Sequence, residues 1–161
     1  EDDRELVSMI QGAPGKIGKH LDNLQLKQAV DAGMEIVKRG NAYLNKKEPW
    51  RDEKARATTI NICLNLCRSA SIILFPVMPE FAQKVWRLLG EKGEIATCKW
   101  EEAGKLGLKP RQKLGKPEVL FKKVKKGGGK MGKQQRNLLK EAVVAALREA
   151  IIAFVRVILK L

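Results

Sequence analysis

The stretch from Arg51 to about Phe75 sets the terms for any fold this chain adopts. Pro49 closes it off on one side and Pro76 and Pro79 on the other. Between them Ile60, Cys63, Leu64, Leu66, Cys67, Ala70, Ile72, Ile73 and Leu74 recur at helical spacing. A helix that is apolar on most faces cannot lie on a surface, so it should run through the middle of a bundle. The spacing predicts the longest helix ahead of the C-terminal segment, and that helix needs others to cover it. Hydrophobic residues make up 44% of the chain and aromatics only 5%, a composition suited to bundles built from Leu, Ile, Val and Ala. Alternating β-branched runs are scarce. At 161 residues the chain is one domain, or one domain with an appendage, and it can bury a real core.

The covering helices are legible on both sides. Glu1-Asp2-Asp3 resembles a helix N-terminus, where carboxylates favour the macrodipole, and Leu6, Met9 and Ile10 follow at helical spacing. Gly12, Pro14, Gly15 and Gly18 weaken that pattern, so the first element is expected to be kinked or broken. From Leu24 to about Lys46 the periodicity is cleaner, with Leu26, Ala29, Val30, Gly33, Met34, Val37 and Leu44 along one side. Pro49 ends this helix by pushing Glu48 out of helical geometry. Pro79 is placed as the first residue of a further helix, Glu80 to Leu89, stopped by Gly90. Residues 91–126 hold Gly93, Gly104, Gly107, Pro110, Gly115 and Pro117, and read as an irregular arm packed on the bundle. Residues 127–133 have linker composition. Residues 134–161 contain no Gly or Pro and read as a very apolar helix that must dock on the bundle or on another chain. Arg148, Glu149 and Arg156 interrupt it, which favours a buried helix over a membrane span.

Charge is concentrated in one place. Of a net +14, residues 105–140 supply +12, with thirteen basic residues against the single acid Glu118. Such a segment attracts phosphate backbones by counterion release, or it is a solvated Lys-rich arm. Cys63 and Cys67 lie one helical turn apart in an apolar stripe and read as reduced core residues, and Cys98 as a free thiol, in keeping with a reducing cytoplasm.

No catalytic constellation is visible, and neither a metal nor a cofactor is expected. His20, the only histidine, has no partners at ligand spacing. There is no P-loop, no dinucleotide fingerprint and no nucleophile elbow. The chemistry-bearing stretch is Gly40-Asn41-Ala42-Tyr43-Leu44-Asn45-Lys46-Lys47-Glu48-Pro49-Trp50. It sets an aromatic just after a helix end, held by a proline, beside Lys46, Lys47, Arg51 and Lys54. Trp50 is either a stacking platform for an unpaired base, with cations around it, or a cap on the core between two helices.

That stretch resembles the GN-x-Y-x-x-x-x-x-PW element of methionyl-tRNA synthetase anticodon-binding domains, of an archaeal kind. Three further runs resemble the family in the same order. They are Ala57-Thr58-Thr59-Ile60 leading into Cys63-Leu64-Asn65-Leu66, then Leu74-Phe75-Pro76-Val77-Met78-Pro79-Glu80 with Trp86 nearby, then Leu108-Lys109-Pro110 through Lys113-Leu114-Gly115-Lys116-Pro117-Glu118-Val119-Leu120-Phe121. The resemblance covers about residues 1–124. It implies that Trp50 stacks on an anticodon base and that Pro49 holds it there, with Asn41 and Arg51 in the same binding element. Lys46, Lys47, Lys54, Lys113 and Lys116 are then phosphate-contact candidates. The resemblance also implies a first bundle helix whose Asn and Arg read the anticodon, and that helix is expected to be missing from its usual place. Residues 134–161 are expected to replace that helix in an engineered or circularly permuted chain, or to dock against another copy.

The expectation is an all-α, antiparallel bundle of about five helices with a basic arm across it. Residues 1–126 form the bundle and arm, 127–133 the linker and 134–161 the final helix. The implied function is non-catalytic binding of methionine tRNA at its anticodon, by a cytoplasmic monomer or homo-oligomer with no membrane partner. The alternative is an engineered or permuted helical scaffold that retains no tRNA recognition and self-associates.

Overall fold

The computed structural model describes residues 1–109, 111–116 and 120. The linker expected at 127–133 and the apolar helix expected at 134–161 lie outside them. Among the described residues every regular element is helical, with α1 (Asp2–Asp22), α2 (Leu26–Lys47), α3 (Glu53–Leu74) and α4 (Pro79–Leu88). Two 3₁₀ turns follow, Ile95–Thr97 and Trp100–Gly104. The three long helices pack on one another, α4 packs on α3, and the second 3₁₀ turn bridges α1 and α3.

The connections are short enough to force antiparallel neighbours. Residues 23–25 turn α1 into α2, with Leu24 in the left-handed region at φ +56° and 85% exposed. At the other end of this pair, Lys46 and Lys47 of α2 meet Asp2 and Asp3 of α1. The α2–α3 crossing is close because glycines line it. A Cβ on Gly33 would stand 3.1 Å from Ile73, and one on Gly40 would stand 2.6 Å from Leu66. Seven residues forward on α2 thus correspond to seven residues back on α3.

As its pattern requires, α3 is the central helix. It buries Ile62, Leu66, Ala70, Ile72, Ile73 and Leu74. It is also the one described helix long and apolar enough to cross a membrane, and its apolar faces are occupied by the bundle. At 22 residues it equals α2 in length. α4 presents Phe81, Ala82 and Trp86 to the core, with Leu89 just beyond its last residue, the one-sided spacing of an amphipathic helix.

Two expectations are corrected. The break expected in α1 is absent: the helix runs through Pro14, and tertiary structure packs on that position. The Trp100 indole N–H donates to the Pro14 carbonyl at 3.0 Å, and Gly104 lies so close that a Cβ there would sit 3.2 Å from the proline ring. Leu6, Ile10, Ala13 and Ile17 then share one buried face, spaced as a single helix spaces them. On α2, Leu26 is 61% exposed, since the first residue of the helix lies beyond the reach of its neighbours.

Polar residues of α3 hold the arm. The Asn65 carboxamide donates to the Asn61 carbonyl at 2.9 Å and accepts from the Leu108 N–H at 3.0 Å. Arg68, with only 8% of its side chain exposed, donates through Nε to Glu91 (3.0 Å) and through Nη1 to the Glu102 carbonyl (2.8 Å). Its guanidinium also lies over the Trp86 ring, 5.2 Å from the centroid. Further along, Gln112 donates to the Leu89 carbonyl and the Gly115 N–H donates to the Leu88 carbonyl, both at 2.8 Å.

Candidate nucleic-acid interface

The connection from α2 to α3 is where the sequence concentrates its aromatic and its cations, and its backbone is closely determined. Glu48 ends α2 in the left-handed conformation (φ +41°, ψ +58°), donating its N–H to the Leu44 carbonyl at 3.1 Å. Pro49 explains this, since a following proline disfavours the right-handed helical conformation at Glu48. The Glu48 carbonyl then accepts from the N–H groups of Arg51 (2.7 Å) and Asp52 (3.2 Å), which folds the turn back on itself. Asp52 starts α3 as a side-chain cap, its Oδ1 accepting from the N–H groups of Lys54 (3.0 Å) and Ala55 (3.1 Å). Inside this turn the two adjacent residues part company. Pro49 is fully buried, whereas Trp50 is 41% exposed. Pro49 is the buried member of the pair, and Trp50 is partly open to solvent.

The surrounding charges are more balanced than their spacing suggested. Lys46 Nζ is 2.7 Å from Asp2 Oδ1, and Lys47 Nζ is 2.7 Å from Asp3 Oδ1. The Tyr43 hydroxyl donates to the same Asp3 oxygen at 3.0 Å, and Lys47 also lies 5.6 Å from the centre of the Tyr43 ring. The hydrogen bond from Lys47 holds Asp3 below the usual carboxylate value, and the one from Lys46 does the same to Asp2. The hydrogen bond to Asp3 raises Lys47 in turn. Arg51 pairs with Glu48 at 3.1 Å but stays largely exposed. The Lys54 side chain forms no ion pair among the described residues, and it stands exposed in the first turn of α3. Asn41 is half-buried on α2, nearly two turns before the helix ends.

Lys113 and Lys116 are placed elsewhere. Lys113 lies against Gly90 and Gly115 against Arg87, at the C-terminal end of α4. That end meets α3 near Arg68, fifteen residues along from Glu53, or about 22 Å at 1.5 Å per residue. The two groups of cations therefore do not form one patch around Trp50. Residues 46–54 make a compact site, and the arm lysines lie farther along the bundle.

No cluster of three metal-ligating side chains occurs among the described residues. His20 is engaged with Gln25, Nδ1 to Oε1 at 2.8 Å. Burial pushes the Cys63 thiol up to about 12 and that of Cys67 to about 11, so neither is an activated nucleophile. The turn places the partly exposed Trp50 beside the exposed Arg51 and Lys54.

Residues 1–146 match the family described as the anticodon binding domain of methionyl tRNA ligase. The chain belongs to this family. The match runs through the Gly/Lys-rich stretch and into the apolar run that follows it. Among methionine–tRNA ligases, that of Sulfurisphaera tokodaii is 35% identical over 128 residues, covering 77% of this chain and 22% of the relative. That of Saccharolobus solfataricus is 35% identical over 129 residues, with the same coverage of both chains. That of Pyrococcus abyssi is 34% identical over 126 residues, covering 76% of this chain and 17% of the relative. The chain thus spans about a fifth of the length of the curated relatives it matches.

Sequence reasoning missed three participants in this anticodon-binding domain. Asp2 and Asp3 read only as helix-start signals, yet they neutralise the last turn of α2. Arg56 carried no signal beyond its charge, yet its Nε donates to the Pro49 carbonyl at 2.9 Å. The Lys–Asp proximity is created by the antiparallel return of the chain and the Arg56 bond by the turn before α3, neither of which spacing along one helix reveals.

Proposed function

We propose that this chain binds the anticodon stem-loop of a methionine tRNA as a non-catalytic module, with Trp50 as the stacking platform for an unpaired anticodon base. The observation that carries the reading is the split between buried Pro49 and exposed Trp50 in a turn whose backbone is held at both ends. Membership of the anticodon-binding family supports it. Arg51 and Lys54 are the cations best placed to meet phosphate beside that base. Lys46 is exposed but would have to leave Asp2, and Lys47 is held more closely between Asp3 and Tyr43. Asn41 contributes from α2, farther from the turn. Lys113 and Lys116 would add sequence-independent attraction along the stem at a distance from the anticodon.

The test is a titration of a CAU stem-loop against the full chain and Trp50→Ala. Base–aromatic stacking contributes about 1–3 kcal/mol per base, so Trp50→Ala should weaken binding about tenfold or more. Its thermal midpoint should stay near that of the parent, because the indole is partly in water. Equal affinity of the two proteins, or indifference to replacing CAU, would overturn the reading.

A further inference from the structure

We infer that Arg56 is a positioning residue for the anticodon site, acting through the peptide plane that carries Trp50. The inference rests on Trp50 being the stacking platform and names what holds it in place. Arg56 Nε donates to the Pro49 carbonyl oxygen at 2.9 Å, and the side chain is half-buried on the first turn of α3. That oxygen and the Trp50 nitrogen belong to the same planar peptide unit, so fixing the oxygen fixes the plane from which the Trp50 Cα departs. Among the described residues no backbone N–H donates to the Pro49 carbonyl, nor does the Trp50 N–H find a backbone acceptor. The guanidinium is therefore the bond that orients this peptide.

The location of Arg56 supports a specific task. Glu53 is the first residue of α3, which puts Arg56 fourth, close to the positive end of the helix macrodipole. A cation is disfavoured there unless something else holds it. The Pro49 carbonyl does so through a charge-assisted bond, a stronger kind than a neutral one. Binding is tighter when a platform is held in its working orientation beforehand, since ordering it on contact costs affinity. Pro49 restricts the preceding torsion and Arg56 the peptide that follows, so Trp50 is clamped from its N-terminal side by two independent means.

The experiment is a double-mutant cycle on the full chain. It compares the parent, Arg56→Ala, Trp50→Ala and the combined variant, each titrated with the CAU stem-loop. Arg56→Ala should weaken binding about tenfold, the scale of one lost hydrogen bond to a charged group. On the Trp50→Ala background the same change should cost almost nothing, because the platform it orients is already gone. An equal loss on both backgrounds would overturn the inference in favour of a direct phosphate contact. So would full affinity for Arg56→Ala while Trp50→Ala is weakened. If Trp50→Ala itself binds like the parent, the stacking reading fails and the inference falls with it. A measurement without RNA keeps the two separable. With 5-fluorotryptophan incorporated, Arg56→Ala should shift or broaden the 19F resonance of Trp50 while leaving those of Trp86 and Trp100 in place. An unchanged Trp50 resonance would overturn the positioning role whatever the RNA does.

Discussion

Gly90 takes φ +74°, and a Cβ there would run into the Lys113 carbonyl. The left-handed conformation alone costs a non-glycine residue about 1–2 kcal/mol, and the backbone oxygen has little room to retreat. Gly90→Ala should therefore destabilise the protein by about 2 kcal/mol or more in urea unfolding, and a loss under about 0.5 kcal/mol would contradict the packing described. A stop for the helix before it is legible in the glycine itself. The arm that crosses it is not, because that contact joins residues 23 apart. Pro49 and Trp50 show the same division. Their adjacency marks a restricted aromatic at a helix end, whereas the burial of one and the exposure of the other depend on how α2 and α3 close around the turn. Arg56 had no local mark at all.

Helices α1 and α2 are joined electrostatically where α1 begins and α2 ends. Asp3 receives hydrogen bonds from Lys47 and Tyr43, which hold its folded-state value below the ordinary 3.8. A depressed carboxylate contributes stability that is present above its unfolded value and is lost as pH falls through its folded value. Asp3→Asn should accordingly be less stable than the parent at pH 6, with the gap closing below about pH 4. Thermal midpoints measured across that range would show it, and a gap independent of pH would contradict it. The same pair of helices shows how far periodicity reaches. The buried faces of α2 and α3 follow from their spacing, since a 3.6-residue repeat places those residues together whatever surrounds them. The continuity of α1 does not follow. Local rules expect Pro14 to interrupt the helix, and the second 3₁₀ turn overrides them by packing Trp100 and Gly104 on that position.

Among the described residues, Arg68 ties the bundle to the arm. From the central helix it reaches Glu91, the Glu102 carbonyl and the face of Trp86, joining the bundle to the segment beyond α4. Gly107 lies against it so closely that a Cβ would stand 2.8 Å from the guanidinium carbon. Arg68→Ala removes one partner of a mostly buried pair and leaves a peptide carbonyl without its donor. It should cost about 2–3 kcal/mol in urea unfolding, toward the lower end of such losses because Glu91 and Glu102 retain some contact with water. A cost within about 0.5 kcal/mol of zero would show that the arm is held by its apolar contacts alone.

The sequence by itself determined the helical class, the breaks at Pro49, Pro76 and Gly90, the central place of α3 and the family of the chain. Those properties are written in periodicity, in proline and glycine chemistry and in the order of short motifs, all of which act over a few residues. The tertiary structure decided which residues serve each other across the turns. It paired Lys46 and Lys47 with Asp2 and Asp3, buried Pro49 while leaving Trp50 partly exposed, set Arg56 on the Pro49 carbonyl and placed Lys113 against Gly90 beyond α4. The Lys–Asp pairs join residues brought together only when antiparallel helices bury a common core, whereas the Arg56 bond closes the single turn between α2 and α3. The hydrophobic pattern dictates that such a core will form, while side-chain geometry within it decides which polar groups meet.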